Sequence, residues 1–74
     1  MKFRIIANDE DPLTVLFEPV AEEIEIFPGD YIVVEWVGSG FGEICPENGY
    51  LMVGSPMGGD MRAWRSDGRE ISIF

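Results

Sequence analysis

Apolar and polar side chains alternate over short stretches of this chain, and the alternation has a period of two. Lys2-Phe3-Arg4-Ile5-Ile6 alternates polar with apolar through Ile5, as in a strand with one buried face. Leu13, Val15 and Phe17 share one side of the stretch from Leu13 to Glu18. Glu23-Ile24-Glu25-Ile26-Phe27 is a regular polar/apolar alternation and predicts a half-buried strand. Tyr31 to Val37 is the most apolar run and predicts a strand at the centre of a sheet. Shorter strands are expected at 43–45, 50–53, 61–65 and 70–74. No window sustains a helical period. Pro19 to Glu23 is long enough only for a turn or a single helical turn.

Turn chemistry separates these runs. Asn8-Asp9-Glu10-Asp11-Pro12 suits a turn, because Asn and Asp bond their own backbone and Pro presets φ. Pro28-Gly29-Asp30 predicts a tight hairpin joining the strands on either side of it. Asn48-Gly49 is the signature of a type I′ hairpin, and Ser66-Asp67-Gly68 predicts another hairpin. Gly38 to Gly42 and Ser55 to Asp60 are irregular loops. Ile and Val together number fourteen against six for Leu and Ala, a balance suited to pleated surfaces. The expected fold is all-β: one domain over residues 1–74, a small antiparallel sandwich or barrel of seven to eight short strands.

Composition narrows the chemistry. The 74 residues include no histidine and one cysteine, Cys45. The usual general base and commonest metal ligand is therefore missing, and neither an intramolecular disulfide nor a cysteine-rich zinc site can form. The chain is expected to be a non-enzyme without cofactor or metal. A hydrophobic content of 46% excludes disorder, and no apolar run approaches the roughly 18 residues of a membrane helix. With Asn8 to Asp11 so close behind Lys2 and Arg4, no signal peptide is expected, and the lone thiol suits the cytoplasm. Burial at this size contributes about as much as ordering the chain costs, so a partner or a homodimer is an expectation of size alone.

Charge sharpens the choice of partner. Fourteen acids against five bases give −9, and twelve of the acids lie between Ile5 and Met61, a span without any base. Lys2, Arg4, Arg62, Arg65 and Arg69 occupy the two ends of the sequence, which predicts one mildly basic end of the molecule. So acidic a chain is a poor ligand for nucleic acid or anionic membranes, and a good one for a basic protein. The bland alternative is a solvated surface that maintains solubility.

The tentative partner-binding residues are Glu22, Glu23, Glu25, Phe41 and Met57. The three glutamates flank buried Ile24 and occupy solvent-facing positions. Phe41 and Met57 are apolar residues in flexible Gly-rich loops that do not require them, a mark of an interaction patch. Glu23 and Glu25 share a face as a paired-carboxylate site would, but no deep sugar cleft is implied. The Asn8–Asp11 acids lack the spacing of an EF-hand. Gly38 to Gly42 has no lysine or following helix and is not a phosphate loop. Ser39 has no histidine partner, and Cys45 is expected to be a buried structural thiol. Two alternatives remain. Tyr31, Trp36, Tyr50 and Trp64 could line a small-molecule pocket, or the apolar Ile71-Ser72-Ile73-Phe74 terminus could join a second copy.

Glu18-Pro19-Val20-Ala21-Glu22-Glu23, the Phe27-Pro28-Gly29-Asp30 turn before a Val-rich strand, and the closing Ala63-Trp64-Arg65-Ser66-Asp67-Gly68-Arg69-Glu70 hairpin resemble short acidic β-proteins of actinobacteria. That resemblance covers residues 18 to 70 and implies no activity. The Pro-Gly-Asp turn also looks like part of a cupin barrel, whose metal-binding histidines this chain lacks.

Overall fold

The computed structural model describes residues 1–73. Eight strands form: β1 (Lys2–Ile6), β2 (Leu13–Glu18), β3 (Glu22–Ile26), β4 (Tyr31–Val37), β5 (Glu43–Glu47), β6 (Tyr50–Gly54), β7 (Asp60–Arg65) and β8 (Glu70–Ile71). They make two four-stranded sheets, sheet A in the order β1-β4-β7-β8 and sheet B in the order β3-β2-β6-β5. The protein is therefore an all-β sandwich, not a closed barrel. β4 lies between β1 and β7, as its apolar sequence predicts. The predicted last strand continues to Phe74, which lies outside the described residues, and its ladder ends at Ile71.

The inward faces follow the alternation read from the sequence. Ile5, Ile32, Val34, Met61 and Ala63 from sheet A meet Val15, Phe17, Ile24, Ile26 and Val53 from sheet B, all buried. Trp36 closes one side of this core, its ring edge-on to Phe3 at 4.8 Å and its indole N–H directed at the Met61 sulfur at 3.3 Å. No polar side chain among the described residues is buried, so apolar contact supplies the cohesion.

Three local expectations need correction. Pro28-Gly29-Asp30 forms a tight turn closed by the Asp30 N–H on the Phe27 carbonyl (3.0 Å), but it is not a hairpin. It carries the chain from β3 in sheet B to β4 in sheet A. Buried Ala7 decides this: Gly29 donates to the Ala7 carbonyl (2.8 Å) and Ala7 donates to the Asp30 carbonyl (3.0 Å), so the turn extends the β1–β4 ladder. Asn48-Gly49 does join β5 to β6 directly. Only Gly49 has positive φ, however, which is the sign pattern of a type II turn and not of type I′. Finally, sheet B is mixed rather than antiparallel. β2 and β6 run parallel, because the chain passes through sheet A before the β5–β6 hairpin returns it beside β2. The 19–21 segment is a turn, with Ala21 at φ 59°.

Candidate functional site: an open groove on the acidic sheet

The two outward faces differ in chemistry. On sheet A, Lys2, Glu35 and Arg62 lie in one row across β1, β4 and β7, while Arg4, Val33, Trp64 and Glu70 form the next. Lys2 and Arg62 both stand over the Trp64 ring, at 5.5 and 5.0 Å, and Arg4 over Tyr31 at 5.1 Å. Arg62 also forms a two-pronged pair with Glu70 at 3.0 and 2.8 Å, and the Arg62 hydrogen bond holds the Glu70 carboxyl below its usual range. Arg69 pairs with Asp67 in the β7–β8 turn at 3.0 Å, and Arg65 donates to the Glu25 carbonyl at 2.7 Å. Lys2, Arg4, Arg62 and Arg69 are thus engaged along sheet A and its hairpin, and Arg65 reaches from β7 to the β3 backbone of sheet B. The cations collect on one sheet, not at one end of the molecule, because β1 and β7 both flank β4.

Sheet B has no cation in any strand. It carries Glu18 on β2, Glu22, Glu23 and Glu25 on β3, and Glu43 and Glu47 on β5. The side-chain ion pairs among the described residues, Arg62–Glu70 and Arg69–Asp67, both belong to sheet A. One outward row of sheet B runs Glu23, Leu16, Met52, Cys45 across its four strands. The adjacent row is Glu18, Gly54, Glu43. Two carboxylate-bearing positions thus lie two strand spacings apart, about 10 Å, with only a glycine between them.

Above this second row the two irregular loops meet. The 38–42 loop leads from β4 to β5 and the 55–59 loop from β6 to β7, so both cross between sheets at the same place. They approach each other backbone against backbone. A Cβ on Gly59 would run into the Val37 carbonyl oxygen, one on Gly40 would lie 2.9 Å from the Met57 carbonyl, and one on Gly42 would lie 2.5 Å from the Trp36 ring. Glycine is required here for close approach and not for phosphate. Met57 follows Pro56 in a turn closed by the Gly59 N–H on the Pro56 carbonyl (3.0 Å), and stands out at its tip.

The result is an open groove of about 800 Å³. Phe41 and Met57 rise beside it, Pro19, Met52 and Pro56 contribute its apolar lining, and Glu18 and Glu43 supply its charge. Phe41 is 94% exposed and Met57 92%, a cost that folding alone does not reward.

The structure brings together some of the predicted residues and separates others. Phe41 and Met57 share the groove. Glu22, Glu23 and Glu25 occupy the free-edge strand β3 and do not line it. Glu25 instead borders a second concavity of about 650 Å³ at the far end of the β2–β3 hairpin, with Phe27, Arg65 and Arg69. Sequence reasoning missed Glu18 and Glu43. Each ends or begins a strand beside a loop, and only the strand register shows that they face one another across Gly54. The four large aromatics do not converge: Trp64 and Tyr31 lie on the outer face of sheet A, Trp36 against the core, and Tyr50 on sheet B.

Cys45 is half-exposed on the outer face rather than buried, since it pairs with outward-facing Met52. Its thiol donates to Glu47 at 3.2 Å, and that hydrogen bond and the Glu47 charge push its pKa up, away from nucleophilic reactivity. Among the described residues no cluster of three or more carboxylate or thiol side chains is placed to hold a metal. No helix among the described residues is long and apolar enough to cross a membrane.

Comparison with protein-family models, with curated proteins and with solved structures gives no match for this chain.

Proposed function

We propose that this protein is a non-catalytic binding module that presents the outer face of sheet B to a basic protein partner. The observation that supports this most is the segregation of charge by sheet. Every cation belongs to sheet A or its β7–β8 turn, with Arg65 reaching across to the Glu25 carbonyl, so the six glutamates of the sheet B strands have no basic residue in their own sheet. Such a face steers a basic partner and repels a second copy of itself. Exposed Phe41 and Met57 supply the apolar contact that a purely solubilising surface does not need. The reduced thiol and the absence of histidine are in keeping with a cytoplasmic, non-catalytic role.

In-cell photo-crosslinking tests the proposal. A photoreactive phenylalanine analogue is placed at Phe41, and separately at Trp64 on the opposite face. The expected result is a basic protein trapped from the Phe41 position only, and lost when Glu18 and Glu43 are both changed to Lys. Equal trapping from both faces, or trapping indifferent to those charge reversals, would overturn it.

A further inference from the structure

We infer that the groove between the 38–42 and 55–59 loops takes an extended peptide segment in which one apolar side chain has a Lys or Arg two positions away on each side. This rests on the acidic-sheet reading above and deepens it to a single site and a sequence pattern.

The charges define the flanks. Glu18 and Glu43 bracket Gly54 in one row, about 10 Å apart, and no cation lines the groove. In an extended chain, positions i−2, i and i+2 project to the same side at steps of about 6.8 Å. Basic residues at i−2 and i+2 are therefore spaced to reach the two carboxylates while residue i enters between them. Lys and Arg have long, adjustable stems, which absorb the difference in spacing.

The apolar parts define the centre. Phe41 and Met57 stand beside the groove on loops that close glycine contacts bring together, so both apolar side chains are presented at one place. Met52 and Pro19 provide an apolar lining, and Met adapts to varied side-chain shapes. A small organic cation is a poorer match. Among the described residues Phe41 is the single aromatic ring lining the groove, whereas cages for such cations surround the charge with several rings.

Addition of a strand to β5 is a poorer match too. Pro46 has no N–H to offer, so it must sit where its nitrogen faces the free edge, and that edge is blunted. The segment is held by side chains over the face of the sheet, not by a new ladder.

The experiment uses the whole chain, ¹⁵N-labelled, titrated with capped peptides of the pattern arginine-serine-leucine-serine-arginine. Controls have glutamate in place of arginine, or serine in place of leucine, and spermidine is a further probe. The expected result is amide shifts confined to Glu18 and to the non-proline residues of 38–43 and 52–59. Phe41→Ser and Met57→Ser should each weaken binding about tenfold, at the level of contact hot spots. Glu18→Gln and Glu43→Gln should each weaken it about threefold, with further loss as salt rises. Unchanged thermal midpoints show that these exposed variants still fold.

Three results overturn the inference: no shifts with the basic peptide, equal binding of the acidic peptide, or binding of spermidine as tight as that of the peptide. Shifts confined to β3, around Glu22, Glu23 and Glu25, would overturn the groove while leaving the acidic-sheet reading in place. Shifts on sheet A would overturn both.

Discussion

The two outward faces rest on one core and have the same strand count, yet they present opposite kinds of surface. On sheet A the cations and the outward aromatics find partners: Trp64 under Lys2 and Arg62, Tyr31 under Arg4, Arg62 against Glu70. On sheet B Glu47 accepts from the Cys45 thiol but no strand carries a cation, and the most exposed apolar side chains, Phe41 and Met57, stand on loops at its end. Stabilising interactions and available interactions thus occupy different sides. A side chain already engaged within its own fold has little left to offer a partner, so the less self-satisfied face is the better candidate for binding.

This contrast can be broken in several ways. The largest effect belongs to the shared core. Phe17 is fully buried between the sheets, and Phe17→Ala is expected to lower stability by about 4 kcal/mol, read as a lower denaturation midpoint. Both faces should lose order together. If sheet B alone unfolded, the sandwich would not be one cooperative unit.

Next is the loop junction. Gly59→Ala forces a methyl group against the Val37 carbonyl and should cost about 2–3 kcal/mol in chemical denaturation. It should also disturb amide signals of the 38–42 loop, which the glycine contacts couple to it. A neutral outcome would mean that the loops are not interlocked.

The faces themselves can then be compared directly. Trp64→Ser removes the platform beneath two cations and should cost about 1 kcal/mol. Phe41→Ser and Met57→Ser should change stability by less than about 0.5 kcal/mol, since both side chains are already in water. Equal costs on both sides would dissolve the distinction between a stabilising and a binding face.

The smallest effect is electrostatic. Glu70 is held below its ordinary value of 4.5 by the Arg62 hydrogen bond, and Asp67 below 3.8 by the Arg69 backbone N–H and the Arg69 charge. A depressed folded pKa means that the unfolded chain binds the proton first. The stability from these pairs is therefore fully present above the ordinary carboxylate values and lost as pH falls through the lowered ones. Glu70→Gln should flatten part of the decline in thermal midpoint between about pH 5 and about pH 2.

Much of this architecture was legible in the residues, and the lapses are instructive. Strand positions follow from a period of two, which any neighbour-to-neighbour reading detects. Phe41 and Met57 also stood out locally, as apolar residues where a loop needs none. Glu18 and Glu43 did not, because twenty-five positions of sequence separate them and nothing local marks either. Their relation exists only through Gly54, to which both are register partners.

The Pro28-Gly29-Asp30 reversal shows the same boundary. Its residues specify a tight turn, and a tight turn forms. Whether the turn closes a hairpin or carries the chain to the other sheet is decided by Ala7, twenty-one residues before Pro28, whose backbone claims the hydrogen bonds on the far side. What the sequence by itself determined about this protein is therefore its strands, its turns, its two-faced alternation and an acidic chain without histidine chemistry. Which strands became neighbours, and hence that the cations gathered on one sheet and left the other to carboxylates and a groove, was decided only by the tertiary structure. The reason is physical: alternation and turn propensity act over a few bonds, whereas sheet membership is settled by which distant edge satisfies each backbone donor and acceptor while closing the common core.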